Sequence, residues 1–217
     1  LKANPVLKHK PNILINIRQS LLYVVNTPYL AGLLSIAVVI NLTAFPLYFS
    51  LIAVLAHEVF ETQSSVLGYM LGSYSAGAVL GSLAMGFRLK ESLNGIFLAA
   101  TSILWHFSVI GMAFVSDIGV SYVVLFVSGA SQSLCVVLLS TLILNGTPYS
   151  LRGRVLGLRQ LAVISLPIGL TLSGYLVELA GVKFILMVNG VVGILLIIIT
   201  LILTPKLLKE RESKLWS

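Results

Sequence analysis

Only seven acidic side chains occur in 217 residues, and each lies at or beyond the end of a long apolar run. This chain therefore offers no carboxylate placed to gain and lose a proton in mid-membrane. Charged residues of both signs amount to 10% of the sequence against 58% hydrophobic residues, with a mean hydropathy of +1.03. That is too little polar surface for a water-soluble globule. Cysteine occurs once, at Cys135, which excludes an intramolecular disulfide and leaves the redox compartment unmarked. The three histidines, His9, His57 and His106, form no metal-ligand spacing with the acids, so no metal or other cofactor is expected.

What the chain has in abundance is long apolar runs. Six of them, near Tyr29 to Leu55, Val66 to Phe87, Ile96 to Val115, Tyr122 to Leu144, Leu156 to Val177 and Phe184 to Leu203, are long enough to cross a bilayer, which takes roughly 20 helical residues. The predicted fold is an all-α membrane protein, a six-transmembrane-helix bundle. Its basic residues are sorted. Lys2, Lys8, Lys10 and Arg18 precede the first run, Arg88 and Lys90 follow the second, Arg152, Arg154 and Arg159 flank the gap after the fourth, and Lys206, Lys209, Arg211 and Lys214 close the chain. The alternate gaps hold only Lys183. Short loops rich in Lys and Arg stay in the cytoplasm, so a multi-pass protein of the cell (inner or plasma) membrane with both termini cytoplasmic is predicted. The net charge of +7 thus serves lipid headgroups at span ends, and nucleic acid is not an expected partner.

Residues 1–27 read as a cytoplasmic linker containing an amphipathic helix, with Leu14, Ile17, Leu21, Val24 and Val25 on one face and Asn12, Asn16, Gln19, Tyr23 and Asn26 on the other. Residues 28–204 form the bundle and 205–217 a cytoplasmic tail. Thr27 and Pro28 suggest a cap and first-turn proline for the first span. The chain starts at Leu1, and its first apolar run follows a basic stretch without a small-residue cleavage pattern, so no secretory signal is expected and the sequence reads as cut from the middle of a longer one. Connections of a few residues make successive helices antiparallel neighbours, and two groups of three in opposite orientation would suit a 3+3 inverted repeat. Glycines four apart, Gly68 with Gly72 and Gly77 with Gly81, suit close helix packing, and Pro46 and Pro167 should bend their spans.

Catalysis has little to draw on. Gly129-Ala130-Ser131 superficially resembles the Gly-x-Ser of rhomboid-type intramembrane proteases, but no histidine follows His106 to serve as their base. An enzyme is not expected. His106, beside Trp105 in the third span, is expected to be neutral and hydrogen-bonded to a neighbouring helix. Asn41 and Tyr48 on the first span, and Ser128, Ser131 and Gln132 on the fourth, sit near mid-depth. Burying an amide in hydrocarbon costs several kcal/mol unless it is paired, so Asn41 and Gln132 should face protein or a wet cavity.

The most specific stretch is Pro148-Tyr149-Ser150-Leu151-Arg152-Gly153-Arg154-Val155-Leu156-Gly157, followed by Leu166-Pro167-Ile168-Gly169. It resembles the loop between spans ten and eleven of major facilitator transporters, particularly the enterobactin-exporter-like branch that exports drugs and siderophores. Between Gly81 and Lys90 the chain departs from that family's pattern, for the acid usual there is missing while Arg88 and Lys90 keep the basic part. The resemblance implies spans seven to twelve of a twelve-helix carrier exporting a small-molecule substrate by alternating access, with the N-terminal six-helix half of the same transporter as partner. It also turns Asn41, Tyr48, Ser128, Ser131 and Gln132 toward the substrate cavity. Arg88, Lys90, Arg152, Arg154 and Arg159 become inner-gate or loop candidates, topogenic charge being the plainer reading. The alternative is a permease subunit of an ATP-driven transporter. Ile164-x-Leu166-Pro167 echoes the end of its coupling loop, but the Glu-Ala-Ala expected before it is absent.

Overall fold

The computed structural model describes residues 13–61, 64–88 and 94–209, all helical or in short connections, with no strand among them. A helix α1 (Ile13–Val25) precedes the bundle. The first span consists of α2 (Pro28–Thr43), a π-helical stretch Leu47–Leu51, the short α3 (Ile52–Val54) and a second π-helical stretch Leu55–Val59. Then come α4 (Ser64–Arg88), α5 (Gly95–Phe114) and α6 (Ile118–Asn145). The fifth span opens with a 3-10 turn at Tyr149–Leu151 and continues as α7 (Arg152–Ala162) and α8 (Ser165–Ala180). After α9 (Val182–Leu203), α10 (Lys206–Lys209) is a single turn. Among the described residues, six segments are long and apolar enough to cross a membrane, and they coincide with the six runs read from the sequence.

Local chemistry sets the helix ends. The Asn94 and Asp117 side chains accept from the backbone N–H groups of Phe97 and Val120, capping α5 and α6 at 2.8 and 2.9 Å. Gly181 joins α8 to α9 at φ 80°, a backbone conformation suited to glycine. Thr27 departs from the expected role. It occupies the position before α2, but its hydroxyl donates backward to the Tyr23 carbonyl at 2.8 Å and so ties down the end of α1. Pro28 does begin α2, where a missing N–H costs nothing.

Both interior prolines coincide with breaks. Pro46 has no N–H to offer the Leu42 carbonyl, and the span changes from α- to π-helical just after it. Gly169 of α8 backs onto that same carbonyl group: a Cβ there would stand 2.9 Å from the Leu42 carbonyl carbon. Pro167 falls in the first turn of α8, because the fifth span has already broken at Val163–Ile164.

Helix pairing has an internal symmetry. The second span packs on the fourth and the first on the fifth; the third packs on the fourth and the first on the sixth; the third and sixth pack on each other. Exchanging each span with the one three places along maps these pairs onto one another, as a 3+3 repeat would, but the fifth span also packs on the sixth and, among the described residues, the second has no comparable contact with the third. The α4–α6 pair is the most extensive and relies on glycine. A Cβ on Gly81 would lie 2.6 Å from the Ala130 carbonyl oxygen, and Gly77 and Gly129 stand closer still to the Phe126 and Tyr74 carbonyls of the facing helix. Ser73 adds a hydrogen bond to the Tyr122 carbonyl at 2.6 Å. Gly68 and Gly72, by contrast, face open space.

One end of the bundle gathers the beginnings of α2, α5 and α7 with the ends of α4, α6 and α9. Gly32 meets Thr204, Gly95 meets Leu207, and Gly146 meets the Tyr29 ring. Arg152, Arg154 and Lys206 stand at that end, and Arg18 belongs to α1, which packs on α2 and α7 beside it. Glu58, Glu61, Asp117, Glu178 and Lys183 stand at the other end. The segregation seen along the sequence is therefore a property of the folded bundle. The side chain of Arg88 and the whole of Lys90 lie outside the described residues.

Candidate functional site

The break after Pro46 has a consequence for side chains. A π-helical stretch has a wider turn and re-aims the residues around it, and such stretches are frequent at functional sites. Here Phe45, Tyr48 and Phe49 form an aromatic group on one side of the first span. Phe45 and Phe49 have ring centroids 5.9 Å apart, Phe45 meets Trp105 edge-on at 4.9 Å, and Tyr48 lies 4.6 Å from Tyr74 of α4.

Two cavities border this group. The first, of about 200 Å³, lies between α2, α6 and α7 and is lined by Asn41, Phe45, Phe49, Arg159 and Gln160 among aliphatic residues. The second, of about 260 Å³, is lined by Phe45, Tyr48, Phe49, Tyr74, Ser75, Ala78 and Gln132. Phe45 and Phe49 thus wall both. Of the residues singled out from sequence, Asn41 lines the first cavity and Tyr48 and Gln132 line the second. Ser128 and Ser131 are buried in α6 and line neither; Ser131 donates to the Val127 carbonyl at 2.8 Å. The Asn41 amide donates to Ala37 one turn back at 2.7 Å rather than to a neighbouring helix. Three buried polar atoms, the Tyr74 and Ser128 hydroxyls and Trp105 Nε1, have no hydrogen-bond partner among the described residues.

The arginines divide into two kinds. Arg152 is tied to the turn before α7: its Nε donates to the Thr147 carbonyl at 3.2 Å, and its guanidinium sits 5.7 Å from the Tyr149 ring centroid. Arg154 is exposed in the first turn of α7. Arg159 lies two turns further along the helix and borders the first cavity. Sequence position had grouped it with the loop, yet Val155 and Ala162, four residues before and three after it, are buried residues of α7 and share its side of the helix. That spacing is the signal that could have placed it. Phe45, Phe49, Tyr74 and Gln160 went unnoticed because aromatic residues and a lone amide near a span end look like ordinary membrane sequence.

His106 joins three spans. Its Nδ1 is 2.8 Å from the Ser102 carbonyl, which can only accept, so Nδ1 carries the proton in the neutral ring. Nε2 lies 2.8 Å from the Thr43 hydroxyl of α2, whose single proton it shares with the Val39 carbonyl at 2.7 Å, and Gly193 of α9 leaves room for the ring. The histidine is thus a polar clasp between helices.

Six helical segments among the described residues, long and apolar enough to cross a membrane, with part-polar cavities at a broken span, make this a multi-pass membrane protein. The comparison with protein families gives its class: the model of the transmembrane secretion effector family, a family of major facilitator type, matches residues 2–216, and the chain belongs to that family. No curated protein matches the chain, and no solved structure does.

Proposed function

We propose that this chain is one six-helix half, spans seven to twelve, of a twelve-helix exporter that carries a small molecule such as a drug or siderophore outward by alternating access. The observation that carries this reading is the uncovered surface of the second and fifth spans. These two, equivalent under the triplet exchange, are the least buried of the six, and the second is also the least apolar. Gly68, Gly72 and Gly86 on α4, with Gly157 and Gly174 on the fifth span, face open space. Lipid does not ask for small residues there; an approaching helix does. The partner is the N-terminal six-helix half of the same transporter, and the substrate path runs past the Phe45–Phe49 group between the halves.

The arginine-bearing end faces the cytoplasm, and both termini lie there. Residues 1–27 act as the linker between halves and 205–217 as a tail. Arg152 and Arg154, with Arg88 and Lys90, belong to the inner gate, while Asn41, Tyr48 and Gln132, which border the two cavities, belong to the substrate path. An ion gradient drives transport, with the coupling acid supplied by the other half. In vesicles carrying the complete gene product, an uncoupler should collapse export whether or not ATP is present. Export that persists with the gradient abolished and stops when ATP is withdrawn would replace this reading with an ATP-driven permease.

A further inference from the structure

Arg159 differs from the other described cations in where it sits. Seven residues beyond the start of α7, it is about 10 Å along the helix from Arg152. It is half-buried, lines the first cavity with Val136 and Leu139 of α6, and makes no hydrogen bond or ion pair with any described residue. Arg152 has a carbonyl and a ring to hold it, and Arg154 has solvent. A guanidinium at membrane depth without a counter-charge is costly to maintain, and such a residue points to an ion or substrate path.

The surroundings specify what would neutralise it. Asn41 and Gln160 add amide groups to the same cavity, Phe45 and Phe49 form one wall, and Ile40, Leu139 and Leu166 supply aliphatic surface. No acid among the described residues lines the space, so a cation would find no counter-charge there. A planar guanidinium fork pairs bidentately with a carboxylate, sulfonate or phosphate. At about 200 Å³ the cavity is smaller than pockets for drug-sized ligands, which run to roughly 300–1,000 Å³. It accommodates a one- or two-ring anion, or the charged end of something larger. We propose that this cavity binds an amphipathic anion, an acidic group on an apolar or aromatic body, with Arg159 recognising the charge. Cargo and acidic lipid both present that chemistry. The inference rests on the exporter reading only in taking the anion to be cargo.

The test is equilibrium binding to the purified full chain in phosphatidylcholine nanodiscs, with 2-naphthoate and its neutral isostere 2-naphthamide as probes. No transport is needed, so failure of the exporter reading leaves this result standing, and the reverse also holds. The wild type should prefer naphthoate by at least about tenfold. Arg159→Gln should bring the two probes within about twofold of each other, and Arg159→Lys, which keeps the charge without the fork, should fall between. Should the glutamine variant fail to fold, the drop from arginine to lysine carries the test. Naphthoate binding that vanishes in discs containing phosphatidylglycerol would uphold the anion site and identify lipid as its membrane occupant. Equal binding of both probes by the wild type, binding of neither, or a preference unchanged by both variants would overturn the proposal.

Discussion

Replacing Gly81 by alanine puts one methyl group where the fold has no room. Its Cβ would stand 2.6 Å from the Ala130 carbonyl oxygen and 3.0 Å from Ala130 Cα, where ordinary contact begins at 3.4 Å. The shortfall is about 0.8 Å against backbone, which cannot rotate aside as a side chain can. Either α4 and α6 move apart or one of them bends. A gap of 0.5–1 Å forfeits roughly a quarter to a half of each dispersion contact, and this is the most extensive helix pair in the bundle. Overpacking of this kind costs about 1–3 kcal/mol. Gly72→Ala, in the same helix but facing open space, is the control, and helix propensity alone should stabilise it by up to about 1 kcal/mol. That propensity gain acts on both variants and cancels, so they should differ by about 1–3 kcal/mol in an SDS unfolding titration of the isolated chain in mixed micelles. Equal midpoints would show that α4 and α6 do not pack on glycine, and the pairing scheme built on that contact would fall with it.

Three further outcomes follow from named contacts. His106→Ala removes the clasp between α2 and α5 and leaves a void against Gly193; it should lower stability by about 2–4 kcal/mol in the same titration, while Thr43→Val should cost less. Asn41→Ala and Gln132→Ala should shift substrate preference in export assays at unchanged membrane abundance, whereas lower abundance with normal export per molecule would make them packing residues. Substituting Arg152 and Arg154 together by glutamine should slow export several-fold, on the order of 1 kcal/mol in a gate equilibrium, and unchanged export would leave them a topogenic role.

Much of the fold could be read in advance because lipid imposes a simple code. Apolar length gave the number of spans, and the alternation of cation-rich and cation-poor gaps gave the two ends of the bundle. The glycine contacts were only half legible: Gly77 and Gly81 meet α6, while Gly68 and Gly72, with the same spacing, meet none of the described residues. Spacing says that backbones can approach, not which ones do. The site was harder. Asn41, Tyr48 and Gln132 attracted notice as polar residues in apolar runs, but the cavities they border depend on a π-helical change of register after Pro46, and no periodicity rule reports that. Arg159 was hidden by its neighbours, since three arginines within eight residues read as one loop until the helix start at Arg152 separates them.

The central claim is that the arginine-bearing end of this six-span bundle faces the cytoplasm and the acid-bearing end faces out. Single cysteines at Arg154 and Glu61, in a Cys135→Ser background, test it through labelling of intact cells with a membrane-impermeant maleimide. The account predicts labelling at position 61 in intact cells and at position 154 only after permeabilisation. Labelling of both positions from the same side, or of position 154 alone from outside, would contradict it.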